Sequence, residues 1–121
     1  MDKKFDKLNI NNINNQEIKY NNGRYVGQVV NGLREGKGIY YWNDGERYEG
    51  DFRNDKPEGK GIYYYHNGDR YEGDYRNDKR EGKGIMYYHD GDRKMGDYYN
   101  GKEIGKHVML TKNGEVKINN Y

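Results

Sequence analysis

Short runs of alternating apolar and polar residues recur along this chain, and each run breaks at glycine, asparagine or charge. YEGDFR at 48–53 and GIYYYH at 61–66 have the two-residue period of strands with one buried face. Between them NDKPEGK, at 54–60, is rich in glycine and charge and predicts a loop. Asn-Gly or Asp-Gly then recurs at Asp44-Gly45, Asn67-Gly68, Asp90-Gly91 and Asn113-Gly114. These dipeptides mark hairpin turns, because they accept the positive φ such turns need. The pattern predicts paired antiparallel strands and no helix.

The pattern is also periodic. YEGDFRNDKPEGKGIYYYHNGDR at 48–70 is followed at once by YEGDYRNDKREGKGIMYYHDGDR at 71–93, one unit written twice. The frame extends back to 25–47 and, more loosely, forward to 94–116, with no insertion or deletion. A fixed period of this kind predicts a repeat array, here a single-layer, twisted antiparallel meander of all-β class. IKYNNGR at 18–24 resembles the second half of a unit, so the array opens with a half unit whose strand ends at the Asn22-Gly23 turn. Residues 1–17, with apolar positions only at Phe5, Leu8, Ile10 and Ile13, read as a mobile arm or weak edge strand. The tail at 117–121 adds a last edge strand. Eight to ten strands at ~4.8 Å spacing make a ribbon roughly 40 to 50 Å long.

The turn decides which side chains share a face. A two-residue turn at Asn67-Gly68 would bring Ile62 and Tyr64 onto the face of Tyr71, Gly73 and Tyr75. A three-residue turn at 66–68, with the glycine left-handed, brings Tyr63 and Tyr65 there instead. The second is favoured, because it sets Gly61 beside Gly73 and leaves Glu72 and Asp74 on the opposite face. One face then carries aromatic rows: Tyr25, Tyr48 and Tyr71; Phe52, Tyr75 and Tyr98; Tyr40 and Tyr63; Trp42, Tyr65 and Tyr88. Cross-strand pairs of this kind contribute roughly 0.2 to 1 kcal/mol each, enough to hold one layer together. In the fourth unit Lys94 replaces the leading Tyr, His107 a glycine and Thr111 a ladder ring, as expected of a degenerate capping unit with a polar finish.

The consensus of the units, Y-x-G-x-[aromatic]-x-N-x-K-x-x-G-K-G-I-Y-x-Y-x-[DN]-G, resembles the membrane occupation and recognition nexus (MORN) repeat. Three units match almost fully and the fourth in part, over 25–116. The resemblance implies a trough-like sheet lined on one side by aromatics and glycines. It also implies a scaffold, a partner-binding module or an extension of a catalytic domain such as a lipid kinase or methyltransferase, and no such domain is visible in the sequence. Contacts with phospholipid, or a grip on an extended or helical peptide, are both in keeping with it.

Composition agrees with a sheet built on rings. Of 121 residues 31% are hydrophobic and 35% charged, a balance close to disorder, but 15 Tyr, 2 Phe and 1 Trp supply the area that disordered chains lack. There is no Ala, and only Leu8, Leu33 and Leu110 are leucines, so helices have little material. The absence of Cys suits a reducing compartment. MDKKFDKLNI has no apolar signal core, and no run approaches the ~18 apolar residues of a membrane span. A soluble, unprocessed cytoplasmic protein is expected, with association to cytoskeleton or membrane left open. A net charge of +2 does not announce nucleic acid as partner.

Candidate chemistry is sparse. With no Ser, no Cys and the single Thr111, a nucleophilic triad is excluded and no enzyme is expected. The GKG triplets beginning at Gly36, Gly59 and Gly82 lack the Ser or Thr and the helix of a phosphate loop. His66 and His89 fall two strands apart, ~10 Å, too far to share a metal, and read as exposed turn residues. Acidic rows at Asp51, Asp74 and Asp97 and at Glu49 and Glu72 lie near Arg47, Arg70 and Arg93, and read as a solvated charge ladder. No cofactor is expected. Two surfaces stay open as functional ones. Tyr40, Trp42, Tyr63, Tyr65 and Tyr88 form the candidate partner-binding surface for an extended or helical protein segment, with Tyr48, Tyr71 and Phe52 as the packed ladder beneath. The alternative is anionic phospholipid, met by Lys37, Lys60, Lys83 and Lys106 in basic hairpin loops, whose field Glu35, Glu58, Glu81 and Glu103 partly cancel. On another reading the rings serve only packing, with the arm or tail laid over them, and self-association through an open sheet edge is a third.

Overall fold

The structure is a computed structural model that describes residues 15–121; the predicted arm lies outside the described residues except for its last three, which are strand. Ten strands follow one another: β1 (Asn15–Tyr20), β2 (Gly23–Val30), β3 (Leu33–Trp42), β4 (Arg47–Arg53), β5 (Lys56–Tyr64), β6 (Arg70–Arg76), β7 (Lys79–Tyr87), β8 (Arg93–Tyr99), β9 (Lys102–Leu110) and β10 (Val116–Asn120). They form one antiparallel sheet in strict chain order, so each strand pairs only with its neighbours in sequence. The all-β, single-layer meander expected from the alternation is the fold observed.

The favoured register is also observed. Tyr63 lies opposite Tyr71 and Gly61 opposite Gly73, while Lys60 faces Asp74 and Ile62 faces Glu72 on the other side. A wide loop sets this register: the Tyr65 N–H donates to Asp69 O at 2.9 Å, the Gly68 N–H to Tyr65 O at 3.1 Å, and Gly68 is left-handed at φ 97°. The same construction recurs in the preceding and following units.

The expectation for 54–60 is corrected. Only Asn54 and Asp55 turn there, with φ of 49° and 73°, and β5 already begins at Lys56. Asn77-Asp78 repeats this at 49° and 72°, and Asn31-Gly32 and Asn100-Gly101 are the equivalents at either side. Two successive left-handed residues twist the chain in the sense that paired strands need, so the tightest turn forms where two Asx residues can both accept that conformation. Glycine and charge in the rest of the segment reflect a bulge: Gly59 is left-handed at φ 88°, and three residues of β5 oppose Asp51 alone. The predicted Asn22-Gly23 turn is likewise Asn21-Asn22, since Gly23 already pairs with Tyr20.

The two faces differ in kind. Tyr25, Tyr48, Phe52, Tyr71, Tyr75 and Tyr98 are buried on one face, with Tyr40 beside them. The other face carries a transverse row in which arginine alternates with tyrosine, Arg24, Tyr41, Arg47, Tyr64, Arg70 and Tyr87. Guanidinium groups stack on the neighbouring rings at 4.3 Å for Arg24 on Tyr41, 3.6 Å for Arg47 on Tyr64 and 3.9 Å for Arg70 on Tyr87. These arginines thereby cover the rings of the solvent side without a second layer.

Candidate functional site

The buried rings rest on a row of glycines that crosses the sheet, Gly27, Gly38, Gly50, Gly61, Gly73, Gly84 and Gly96. A Cβ on Gly61 would collide with the Tyr48 ring, and one on Gly84 with Tyr71, so glycine here opens the floor on which each leading tyrosine lies flat. The hydroxyls then donate to backbone carbonyls, Tyr25 to Gln28 at 2.6 Å, Tyr48 to Asp51 at 2.8 Å and Tyr71 to Asp74 at 3.2 Å. Edge-to-face contacts run without a break from Tyr25 through Phe52, Tyr48, Tyr75, Tyr71, Tyr98 and His107 to Tyr121, with centroids 4.9 to 5.5 Å apart. Burial pushes the Tyr25 and Tyr98 hydroxyls up to about 12.

The fourth unit keeps this packing with different residues. His107 stands where the other units have glycine, and its ring fills the space over Gly96. Its Nε2–H donates to Asp97 O at 2.9 Å, the carbonyl equivalent to those the tyrosines use. Lys94, in the tyrosine's place, is turned aside and buried, donating to Glu103 at 2.6 Å and to the Tyr121 hydroxyl at 2.5 Å. Burial alone would push its ammonium down, but these hydrogen bonds outweigh it and hold its pKa above the ordinary value.

A second strip of rings runs along the wide-loop side: Tyr20 to Tyr40 at 5.6 Å, Tyr40 to Trp42 at 4.6 Å, Trp42 to Tyr63 at 5.3 Å and Tyr63 to Tyr65 at 4.7 Å. Four of the five predicted contact rings are therefore continuous. Tyr40 is only 5% exposed and acts as backing, whereas Trp42, Tyr63 and Tyr65 are half-buried. Tyr88 is half-buried too, but among the described residues it pairs with no ring, because Met86 occupies the ladder position beside it. The Tyr63 hydroxyl donates to Glu46 at 2.6 Å, and that hydrogen bond, above all, holds the Glu46 carboxyl below its usual range. His66 shares the same carboxylate at 3.0 Å, and His89 meets Asp69 at 3.0 Å, so each histidine is tied to the preceding unit.

Beside the strip lies a cleft of about 480 Å³, lined by Tyr20, Asn22 and Trp42 from the wide-loop ends and by Asp55, Pro57 and Asp78 from the tight turns. Opposite ends of the strands thus border one hollow, and Tyr48 on β4 reaches Tyr75 on β6, two strands away, at 5.0 Å. The aromatic face is the concave side of a trough. Arg34 lies in the floor, its guanidinium 5.3 to 6.0 Å from the centres of Tyr20, Tyr25, Tyr40 and Phe52 and 2.8 Å from the Asp55 carboxylate. Tyr20, Glu46, Arg34 and Asp55 were not among the predicted site residues. Arg34 carried a signal, since its position reads Arg, Pro, Arg and Glu across the four units, a change of charge even between the near-identical second and third.

The lysine row is placed differently from expectation. Lys37, Lys60 and Lys83 sit inside strands on the face opposite the rings, just past each bulge, rather than in hairpin loops. Each is ion-paired with the aspartate directly across, Asp51, Asp74 and Asp97. The bulge residue absorbs the shift that would otherwise turn the lysine into the trough. Lys106 lies opposite Asn120 and is exposed.

Among curated proteins no sequence matches this chain. The family model of the MORN repeat matches residues 25–47, 48–70 and 71–93, three consecutive copies in the register that places each leading tyrosine over its glycine pair. With more than half of its length matched in this way, the chain belongs to the MORN-repeat family.

Proposed function

We propose that this protein is a non-catalytic binding module that holds an extended or helical segment of a partner protein in its trough, as an adaptor or scaffold subunit in the cytoplasm. MORN repeats are associated in general with protein or membrane interaction. The observation that carries the protein reading is the continuous strip from Tyr40 through Trp42 and Tyr63 to Tyr65, half-exposed beyond the buried Tyr40 and beside a formed cleft. Rings fixed by their neighbours offer apolar area with hydroxyl handles, and little order is lost on their side when a partner docks. The lysines weigh against a lipid-reading edge, because three of the four already face an aspartate.

The test is selection of peptides from a displayed library on the purified protein. The selected pool is expected to lose at least about tenfold in affinity with Tyr63→Ala/Tyr65→Ala and little with Lys60→Glu/Lys83→Glu. Far-UV spectra of both variants check that the sheet is intact. Co-sedimentation with anionic vesicles at ~0.15 M salt, where charges are screened beyond ~8 Å, provides the opposing arm. Vesicle binding that depends on the lysine pair, with no ring-dependent peptide, would sink the trough reading.

A further inference from the structure

The Arg34–Asp55 pair belongs to a motif that the repeat writes three times and completes once. In the first instance Asp55 N–H donates to Arg34 O at 3.0 Å, the Arg34 guanidinium meets the Asp55 carboxylate at 2.8 Å, and a second nitrogen donates to Asp55 O at 2.5 Å. In the next, Asp78 N–H donates to the equivalent carbonyl at 3.0 Å, but the residue there is Pro57 and offers no guanidinium. In the third, Arg80 still donates to the turn carbonyl at 2.6 Å, but the turn residue is Gly101 and has no carboxylate. Among the described residues neither Asp78 nor Arg80 has an ion-pair partner.

Resting on the trough reading above, we infer that the partner segment carries a basic and an acidic side chain on one face, ~10 Å apart, the basic one meeting Asp78 and the acidic one meeting Arg80. Asp78 and Arg80 are two residues apart in one unit, but the half-filled sites they belong to, one at Pro57 and one at Gly101, are a repeat apart, two strands at ~4.8 Å each. In the partner it corresponds to seven residues of α-helix at ~1.5 Å per residue, or to three residues of polyproline II at ~3.1 Å.

Both charges face the trough. Asp78 borders the cleft with Trp42, Tyr40 and Tyr20, rings on which a cation can also rest. Desolvation raises its carboxyl above the ordinary value, in spite of Arg34, Lys56 and Lys79 nearby. Arg34 is already matched by Asp55, and Lys56 is exposed at the cleft mouth. The Arg80 guanidinium lies 4.8 Å from the centre of Tyr98 and 5.5 Å from that of Tyr71, half-buried in the floor. A carboxylate brought to it would find a planar, partly desolvated donor, where such a pair is stronger than at an open surface.

The experiment uses the displayed peptide library and four variants. Asp78→Asn and Arg80→Gln remove one charge each. Pro57→Arg and Gly101→Asp instead supply the missing partners from within the chain, with residues the motif already carries at those positions in other units. The pool selected on the unaltered protein is expected to pair a basic with an acidic residue at one of the two spacings. Asp78→Asn and Pro57→Arg should each erase the basic preference and leave the acidic one, with about tenfold weaker binding. Arg80→Gln and Gly101→Asp should do the reverse. A pool that depends on Tyr63 and Tyr65 but shows no charge pairing, or is unmoved by the four variants, overturns this inference and leaves the trough reading in place. A pool indifferent to Tyr63→Ala/Tyr65→Ala, or no pool at all, overturns both. If the four variants change self-association or binding to anionic vesicles instead, the charges serve a second copy or a lipid, and the inference fails.

Discussion

Each leading tyrosine covers a glycine pair and donates a hydrogen bond from its hydroxyl to a carbonyl three residues on, and His107 reaches the equivalent carbonyl of its own unit from the opposite side of the contact. The fourth unit has thus exchanged which strand supplies the ring. His107→Gly should leave a void between Tyr98 and Tyr121 and cost about 2 to 4 kcal/mol, read from the urea midpoint. Lys94→Tyr alone should also destabilise, since the new ring would meet the imidazole. The two together rebuild the arrangement of the other units and should recover most of the loss, a non-additive result expected only of residues sharing one space. In sequence the two departures look unrelated, thirteen positions apart and each merely a lost consensus residue. Only their facing positions, Lys94 beside Met109 and Gly96 beneath the His107 ring, reveal the exchange.

Hairpins are the next scale, and the unit contains two of them with different closures. The tight turn places Asn54 at φ 49° and Asp55 at φ 73°, whereas in the wide loop only Gly68 is left-handed. Asn54→Ala should therefore cost about 1 kcal/mol, because alanine lacks the short polar side chain that lets asparagine accept the left-handed conformation, measured by chemical denaturation. Asn67→Ala should cost less, losing a side-chain bond to the Asp69 N–H at 2.9 Å on an exposed loop. The opposite order would mean that the Asn-Gly dipeptide, conspicuous in the sequence, is the structural hinge after all. The register of the wide loop was legible because it alone sets glycine against glycine. The tight turn was not, because Asn-Asp with Lys and Glu beside it reads as generic loop until the strand twist selects the two left-handed residues.

At the scale of the molecule, one layer of sheet is held by tyrosines whose hydroxyls must stay neutral. Burial raises the pKa of Tyr25, Tyr40, Tyr48, Tyr63, Tyr65, Tyr71, Tyr75 and Tyr98 above the ordinary 10.0. A group whose folded pKa is raised stabilises the fold fully below its unfolded pKa, and that contribution fades as pH climbs toward the folded value. Stability should hold to about pH 10 and then fall steeply toward pH 12, with the buried phenolates appearing together with loss of the sheet. Ultraviolet titration followed alongside circular dichroism checks this. Independent ionisation of most tyrosines near pH 10 with the sheet intact would show that the rings are not packed as described. Because neighbours touch only neighbours along the array, each repeat adds its own share of this sensitivity.

The sequence by itself determined the strands, their order and the face that carries the rings, because alternation, a constant unit length and paired glycines are local features that any correct register must satisfy at once. Tertiary structure alone decided the rest. The tight turn went to Asn54-Asp55, since strand twist is a property of a pair and not of a peptide. The bulges put the lysines on the far face against their aspartates. Which rings stay exposed also depends on side chains two strands away, so Tyr40 sinks while Trp42 and Tyr65 remain at the surface. And Asp78 and Arg80 stand unmatched among the described residues because positions 57 and 101, twenty-one places distant along the chain and their neighbours only once the sheet forms, hold proline and glycine.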